Sequence, residues 1–177
     1  MADLIIIMGH PASGKTTLAR RLSAELSLPI LSKDDIKEAL FDVLGFGDRE
    51  RSRRLSEACF AALLRMAERQ FYAGLSCLLD GNWRAEHAGG VLEAQARTGV
   101  RTAQVWCRAS LSETLRRFTG RVRHPGHLDG AGLAEEVKQT AGSAPAFLDI
   151  GGPRWIYDSE HPAAYSALVR DLKIWRM

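Results

Sequence analysis

The sequence predicts an α/β fold of three layers, a five-stranded parallel sheet with helices on both faces. Three observations predict it. Short apolar runs of strand length alternate with longer stretches at helical spacing. The segments between successive runs are long enough to be crossovers, which parallel strands require. The first run, Leu4-Ile5-Ile6-Ile7-Met8, has no polar position at all, as a strand covered on both faces demands.

That run is the first strand. Gly9-His10-Pro11-Ala12-Ser13-Gly14-Lys15-Thr16 then fits G-x-x-x-x-G-K-[ST], and a helix follows with Leu18, Leu22 and Leu26 inward and Ala19 and Ala24 beside them. In this order the glycines let successive backbone N–H groups curl inward, and the helix start adds its positive dipole end. Lys15 is placed to reach terminal phosphates and the Thr16 hydroxyl to ligate Mg²⁺. The stretch is therefore a nucleotide-phosphate site, with Gly9, Pro11, Ala12, Ser13, Gly14, Lys15, Thr16 and Thr17 as its contacts.

Ser27-Leu28-Pro29 ends the helix, because Pro29 has no N–H to continue the ladder and disfavours helical geometry at Leu28. Ile30-Leu31 opens a second strand that ends in Ser32-Lys33-Asp34-Asp35, and Ile36, Leu40, Phe41 and Leu44 continue at helical spacing. Asp34 or Asp35 suits a helix N-cap, and equally a carboxylate at the carboxyl end of a strand, where open α/β sheets hold their ligands. Two in succession predict one capping and one facing the cleft. After the loop at Gly45-Phe46-Gly47-Asp48, a long helix over 50–72 should bury Leu55, Cys59, Ala62, Leu63, Met66, Ala67 and Phe71. Arg49, Arg51, Arg53 and Arg54 at its start read as a solvated face, with an anion clamp as the alternative.

Gly74 breaks that helix, and residues 75–80 form a third strand ending in Asp80, an acid positioned to hold Mg²⁺ directly or through water. A helix follows over 85–98 despite Gly89-Gly90, then a fourth strand over 101–108. Ser110-Leu111-Ser112-Glu113 starts the next helix, which carries Arg116, Arg117 and Arg121. Thr114, Arg117 and Arg121 share one face. This stretch reads either as a basic flap closing over phosphates or as an ordinary exposed basic helix. Pro125-Gly126 between His124 and His127 argues for a turn there rather than a metal site. A short helix over 133–141, a fifth strand over 154–157 ending in Asp158, and a last helix over 162–175 with Tyr165, Leu168, Val169 and Leu172 inward complete the chain.

At 177 residues with 46% apolar and 25% charged residues, the chain suits one domain, 1–177, with a sizeable core. A net charge of +3 is too mild to argue for nucleic acid by itself, but arginine greatly outnumbers lysine and its fork matches phosphate. Cys59, Cys77 and Cys107 are odd in number, far apart and set among apolar residues, so they read as reduced core thiols. The first strand begins almost at the first Met, so no signal peptide is expected. No apolar run approaches membrane-spanning length, which makes the cytoplasm the expected location.

With these motifs placed, most of the chain resembles the P-loop small-molecule and polynucleotide kinases, the group that includes bacteriophage polynucleotide kinase, chloramphenicol phosphotransferase and zeta-toxin-like enzymes. The resemblance rests on Gly9 to Thr16, Ser32-Lys33-Asp34-Asp35, Leu79-Asp80-Gly81-Asn82 and the stretch Arg116 to His127. It implies a P-loop NTPase fold, nucleoside-monophosphate-kinase-like, with a helical lid over about 112–133. It implies ATP and Mg²⁺ as cofactors and transfer of the γ-phosphate to a hydroxyl of a small molecule or nucleotide-like acceptor, a polynucleotide end being the narrower case. Lys15 then matches the phosphate-binding lysine, Thr16 the Mg²⁺ ligand and Asp34 the carboxylate that orients and deprotonates the acceptor. Lys37 falls where polynucleotide kinase contacts the acceptor phosphate, and Asp80 where an acid supports substrate or metal. Arg117 and Arg121 resemble lid arginines that neutralise the transferring group. Asp35 and Arg84 complete the candidate acceptor contacts.

The other function class consistent with these residues is an ATP-hydrolysing switch or binding module without transfer. A ring-forming motor normally adds a helical lid domain and borrows its arginine from a neighbour, whereas this chain is short and carries candidate arginines itself. The resemblance implies adenine rather than guanine, and no guanine-reading N-K-x-D motif is visible.

Overall fold

The computed structural model describes residues 1–128, 135, 137–139 and 143–177. Five strands, β1 (Asp3–Met8), β2 (Ile30–Ser32), β3 (Cys77–Asp80), β4 (Arg101–Arg108) and β5 (Arg154–Asp158), form one parallel sheet in the order β2-β3-β1-β4-β5. The helices are α1 (Lys15–Leu26), α2 (Lys33–Leu44), α3 (Arg49–Tyr72), α4 (Ala88–Thr98), α5 (Leu111–Gly120) and α6 (Pro162–Arg176), with 3₁₀ turns at Ala85–His87 and Pro125–His127. Of the predicted helix over 133–141, Glu135 and residues 137–139 are described and are helical; its other residues, and the part of the expected lid beyond Leu128, lie outside the described residues.

The unbroken apolar run of β1 has a simple cause. Successive side chains of a strand point to opposite faces. Leu4, Ile6 and Met8 pack with Phe60, Leu63, Ala67 and Phe71 of α3 and Val91 of α4. Ile5 and Ile7 pack with Leu18, Leu22 and Leu26 of α1 and Leu168, Val169 and Leu172 of α6. Both faces are thus covered, each buried aliphatic side chain contributing about 1.5–3 kcal/mol, and the three expected layers are present. Gln104, wholly buried in β4, bonds both backbone groups of Leu148 and fixes that segment over the sheet.

Several local expectations are corrected. Ala24 is exposed, because the inward stripe of α1 is only as wide as Leu18, Ala19, Leu22 and Leu26. On α3, Ala62 and Met66 face solvent, and Phe60, Ser52 and Glu68 are buried instead. The third strand begins at Cys77 rather than residue 75, since Leu75 N–H still closes the turn onto the Gln70 carbonyl. The cap of α2 is neither Asp34 nor Asp35: Ser32 takes that place and its hydroxyl accepts from Asp35 N–H at 3.3 Å, because the helix starts at Lys33. α5 stops at Gly120, leaving Arg121 on extended backbone just beyond it. The three cysteines are buried free thiols, and burial pushes Cys77 up to about 12 and Cys107 up to about 11. Among the described residues no helix is long and apolar enough to cross a membrane.

Candidate active site

The strand order puts the carboxyl ends of β1, β2 and β3 side by side: Ile7 is level with Asp80, and Ser32 is level with Asp80 on the other side. Everything that follows these strand ends therefore converges on one mouth. After β1 the chain doubles back tightly. Gly9 has φ 141 and packs so close to the Cys107 carbonyl that a Cβ would overlap it. Ala12 and Gly14 also have positive φ, and Ser13 N–H bonds the His10 carbonyl at 3.2 Å. The Ser13 carbonyl, turned outward, accepts from the Cys107 thiol at 3.1 Å and from Arg117 at 3.3 Å.

Lys15 opens α1 and lies buried, its Nζ donating to the His10 carbonyl at 2.7 Å. Burial pushes this ammonium down from its usual range against the opposing pull of Asp80. The Thr16 hydroxyl donates to Asp80 Oδ2 at 2.8 Å, while Asp80 Oδ1 is buried with no hydrogen-bond partner among the described residues. Burial pushes the Asp80 carboxyl up, against Lys15 and the Thr16 hydroxyl. Two buried charges are thus each left short of compensation, the condition a phosphate and a hard cation would relieve. A hydroxyl beside a carboxylate with a spare buried oxygen is an oxygen donor set that fits Mg²⁺.

Asp34 lies in the first turn of α2 and faces the same space. Its Oδ1 pairs with Lys33, and its Oδ2 accepts from Arg123 at 2.6 Å. Burial pushes its carboxyl up, but Lys33, Arg123 and His127 together outweigh that and hold it well below the usual carboxylate range. From the opposite side Arg117 reaches in from α5. Its Nε bonds Glu113 at 2.6 Å, and its Nη1 bonds Ser159 Oγ at 2.8 Å. The bonds from Arg116 and Arg117 pull Glu113 down to about 2. Arg121 lies with its guanidinium 4.5 Å from the Phe118 ring centroid.

These groups surround one cavity of about 440 Å³. Lys15, Asp34, Arg117 and Arg121 all line it, as do Asp80, the loop residues Pro11, Ala12 and Gly14, and Thr16 and Thr17 of α1. Gly9 and Ser13 shape the loop from behind. They are thus not among the residues lining the cavity, and neither are three expected acceptor contacts. Asp35 is exposed on the far side of the turn, and Arg84 is exposed and pairs with Glu86. Lys37 is buried beneath the segment after α5, its Nζ donating to Ser52 Oγ at 2.8 Å. Arg49, Arg51, Arg53 and Arg54 are exposed, Arg54 pairing with Glu50, so the solvated-face reading holds. His124 and His127 sit in a turn, each with its own carboxylate, Asp42 and Glu38.

The cavity also contains Arg20, Ser32, Asn82 and Arg123, which sequence reasoning did not select. Arg20 stands four residues after Thr16, so helical spacing alone would place it on that face. A second cavity of about 250 Å³ adjoins at Gly14, Thr17 and Arg117 and is walled by Arg21, Tyr157 and Ser159.

The AAA domain family model matches residues 4–141. Among solved structures, the chain is similar to a provisionally assigned kinase from Chloroflexus aurantiacus J-10-fl, with 33% identity, a TM-score of 0.87 and 97% of each chain covered. A sugar kinase from Janibacter sp. HTCC2649 shares the fold at 15% identity and TM-score 0.65, over 99% of this chain and 94% of that one. So does the Mycobacterium tuberculosis APS kinase in complex with AMPPNP and APS, at 17% identity and TM-score 0.59, over 97% and 95%. No curated protein matches the chain.

Proposed function

The chain belongs to the AAA domain family, and from that premise we propose that it is an ATP-dependent phosphotransferase that moves the γ-phosphate to a hydroxyl of a small-molecule or nucleotide-like acceptor. One observation carries the proposal: Lys15 and Asp34, delivered by different strand ends, line the same cavity with Arg117 and Arg121 above them. Phosphoryl transfer asks for alignment and charge neutralisation rather than covalent work by the protein. In this reading the N–H groups of the loop before α1 cradle the phosphates, and Lys15 leaves the His10 carbonyl for the terminal ones. Asp34 accepts the acceptor's proton as the new oxygen–phosphorus bond forms. Arg117 and Arg121 stabilise charge on the equatorial oxygens. Thr16 and Asp80 would hold Mg²⁺, which supplies charge neutralisation on the β- and γ-phosphates.

The kinase relatives support this class, and the APS kinase structure, solved with AMPPNP, supports ATP as donor. We take residues 1–177 as a single catalytic domain, with a lid over about 112–133, working in the cytoplasm. Lys37 enters the acceptor site only if the segment covering it lifts. A polynucleotide end draws little support, since Arg84 and the arginines of early α3 lie outside the cavity. The other reading, an ATP-hydrolysing switch or binding module without transfer, would leave Asp34 as a standing ion-pair partner of Lys33 and Arg123.

The test is a screen with γ-labelled ATP over sugars, nucleosides, antibiotics and oligonucleotide ends. The expected result is one labelled product class, lost in Lys15→Ala and in Asp34→Asn, with Asp34→Asn still binding Mg-AMPPNP by calorimetry. Steady phosphate release with no labelled acceptor across the screen would overturn the transfer reading.

A further inference from the structure

The segment after α5, residues 121–128, is tied to α2 by contacts that phosphoryl transfer itself does not require. Asp34, Glu38 and Asp42 stand on successive turns of α2, along one stripe. Each meets a side chain of the segment. Asp34 Oδ2 accepts from Arg123 at 2.6 Å, Glu38 Oε1 lies 2.7 Å from His127 Nε2, and Asp42 Oδ1 lies 3.1 Å from His124 Nε2. Gly126 N–H donates to His124 Nδ1 at 3.1 Å, which leaves Nε2 of the neutral ring as the donor to Asp42.

The backbone between these pairs is seated as firmly. The His124 ring stacks on Phe41 with centroids 5.4 Å apart. Gly126 lies against the same ring so closely that a Cβ would overlap it, and the Ser52 hydroxyl donates to the Gly126 carbonyl at 3.4 Å. The segment is therefore held down along its length, and one result is that Arg123 rests on the acid that faces the cavity.

Resting on the phosphotransfer reading above, we propose that this strap masks Asp34 while no acceptor is bound. Arg123 covers Oδ2 and Lys33 covers Oδ1, so the carboxylate does not draw a proton from water beside the γ-phosphate. The acceptor hydroxyl then takes the place of Arg123 on Oδ2. A carboxylate paired with two cations is a weak proton acceptor, and the depressed carboxyl of Asp34 agrees with the geometry. The strap suppresses wasteful hydrolysis, in which water would lose a proton to Asp34, bond to the γ-phosphorus and expel ADP.

The test measures phosphate release from Mg-ATP with no acceptor present. Arg123→Met removes the covering cation. Gly126→Ala keeps the arginine in the chain but unseats the strap from Phe41, lifting Arg123 from Asp34. Both should hydrolyse about tenfold faster than the wild type, and both gains should vanish when Asp34→Asn is added. The proposal is overturned if either variant, binding Mg-AMPPNP like the wild type, hydrolyses no faster than it, or if the gain survives Asp34→Asn. The two variants act on different atoms, so either decides alone if circular dichroism shows the other unfolded. Failure of the phosphotransfer reading looks different: the wild type would release phosphate and label no acceptor in the screen, whatever the strap variants do.

Discussion

Lys37→Met removes a buried ammonium and keeps a stem of similar length. Burial, followed by the nearby charge of Lys33, lowers the Lys37 ammonium from 10.5 to about 8, against Asp34 and Cys59. No carboxylate among the described residues stands within ion-pair distance of Lys37; its contacts are the Ser52 hydroxyl and, at 5.2 Å, the Phe41 ring. At about 1.4 kcal/mol per pH unit, that depression costs about 3 kcal/mol of stability. Below pH 8 both folded and unfolded chains hold the proton and the cost is fully present. Between 8 and 10.5 the unfolded chain holds it and the folded chain does not, so stability rises with pH across that window. Against the gain from Lys37→Met stand a lost hydrogen bond and a lost cation–π contact, together about 1–2 kcal/mol. The net expectation at pH 7 is a variant about 1–2 kcal/mol more stable, melting about 3–6 °C higher. Urea unfolding at pH 7 and pH 10 reads both the gain and its disappearance. A folded variant less stable than the wild type at pH 7, or a difference that does not shrink by pH 10, would refute the reasoning.

Gly9→Ala should weaken Mg-AMPPNP binding by at least about tenfold, read by calorimetry, because the new methyl meets the Cys107 carbonyl and the loop must shift. Thr16→Val should cost about 1–3 kcal/mol in urea unfolding by leaving Asp80 Oδ2 unpartnered as well as Oδ1. It should also raise the Mg²⁺ concentration that supports nucleotide binding, and Thr16→Ser should restore both. Phe41→Ala should cost about 3–5 kcal/mol and speed amide exchange over 121–128, measured by mass spectrometry, since the strap loses its seat.

The sheet and the phosphate loop were legible because their signals are local. An all-apolar strand, a glycine-spaced loop and a helix start are each written in a few consecutive residues. Strand ends narrowed the acid to Asp34 or Asp35 and helical spacing grouped Arg117 with Arg121; the choice of Asp34 and the arginines' role came with the family resemblance, and Arg121 lies beyond the end of α5. The misplaced features share a different origin. Whether Ser32 or an aspartate caps α2 depends on where β2 stops, and that is set by pairing with Leu78 to Asp80, far away in the chain. Lys37 lies on the Asp34 side of the helix, as its spacing predicts, yet the seating of Gly126 on Phe41 closes that route from the cavity. Arg123 was visible as one more cation in an arginine-rich stretch; that it bridges to Asp34 requires knowing that α5 ends at Gly120. Ala62 and Met66 were assigned inward because small or apolar residues at helical spacing do not reveal how wide the covered stripe is.

The middle place of β1 in the sheet also governs the order in which the chain takes shape. Leu4 pairs with Cys77 on one side and Thr102 on the other, so β1 is synthesised before both of its neighbours. Until they arrive, the five apolar residues Leu4 to Met8, wholly buried in the fold, have no ladder to join, while α1 and α2 need only local contacts to begin forming. A nascent chain stalled before β4 would expose its most adhesive segment along one open edge. The tight loop after β1 thus leaves the ribosome before the segments that wall it.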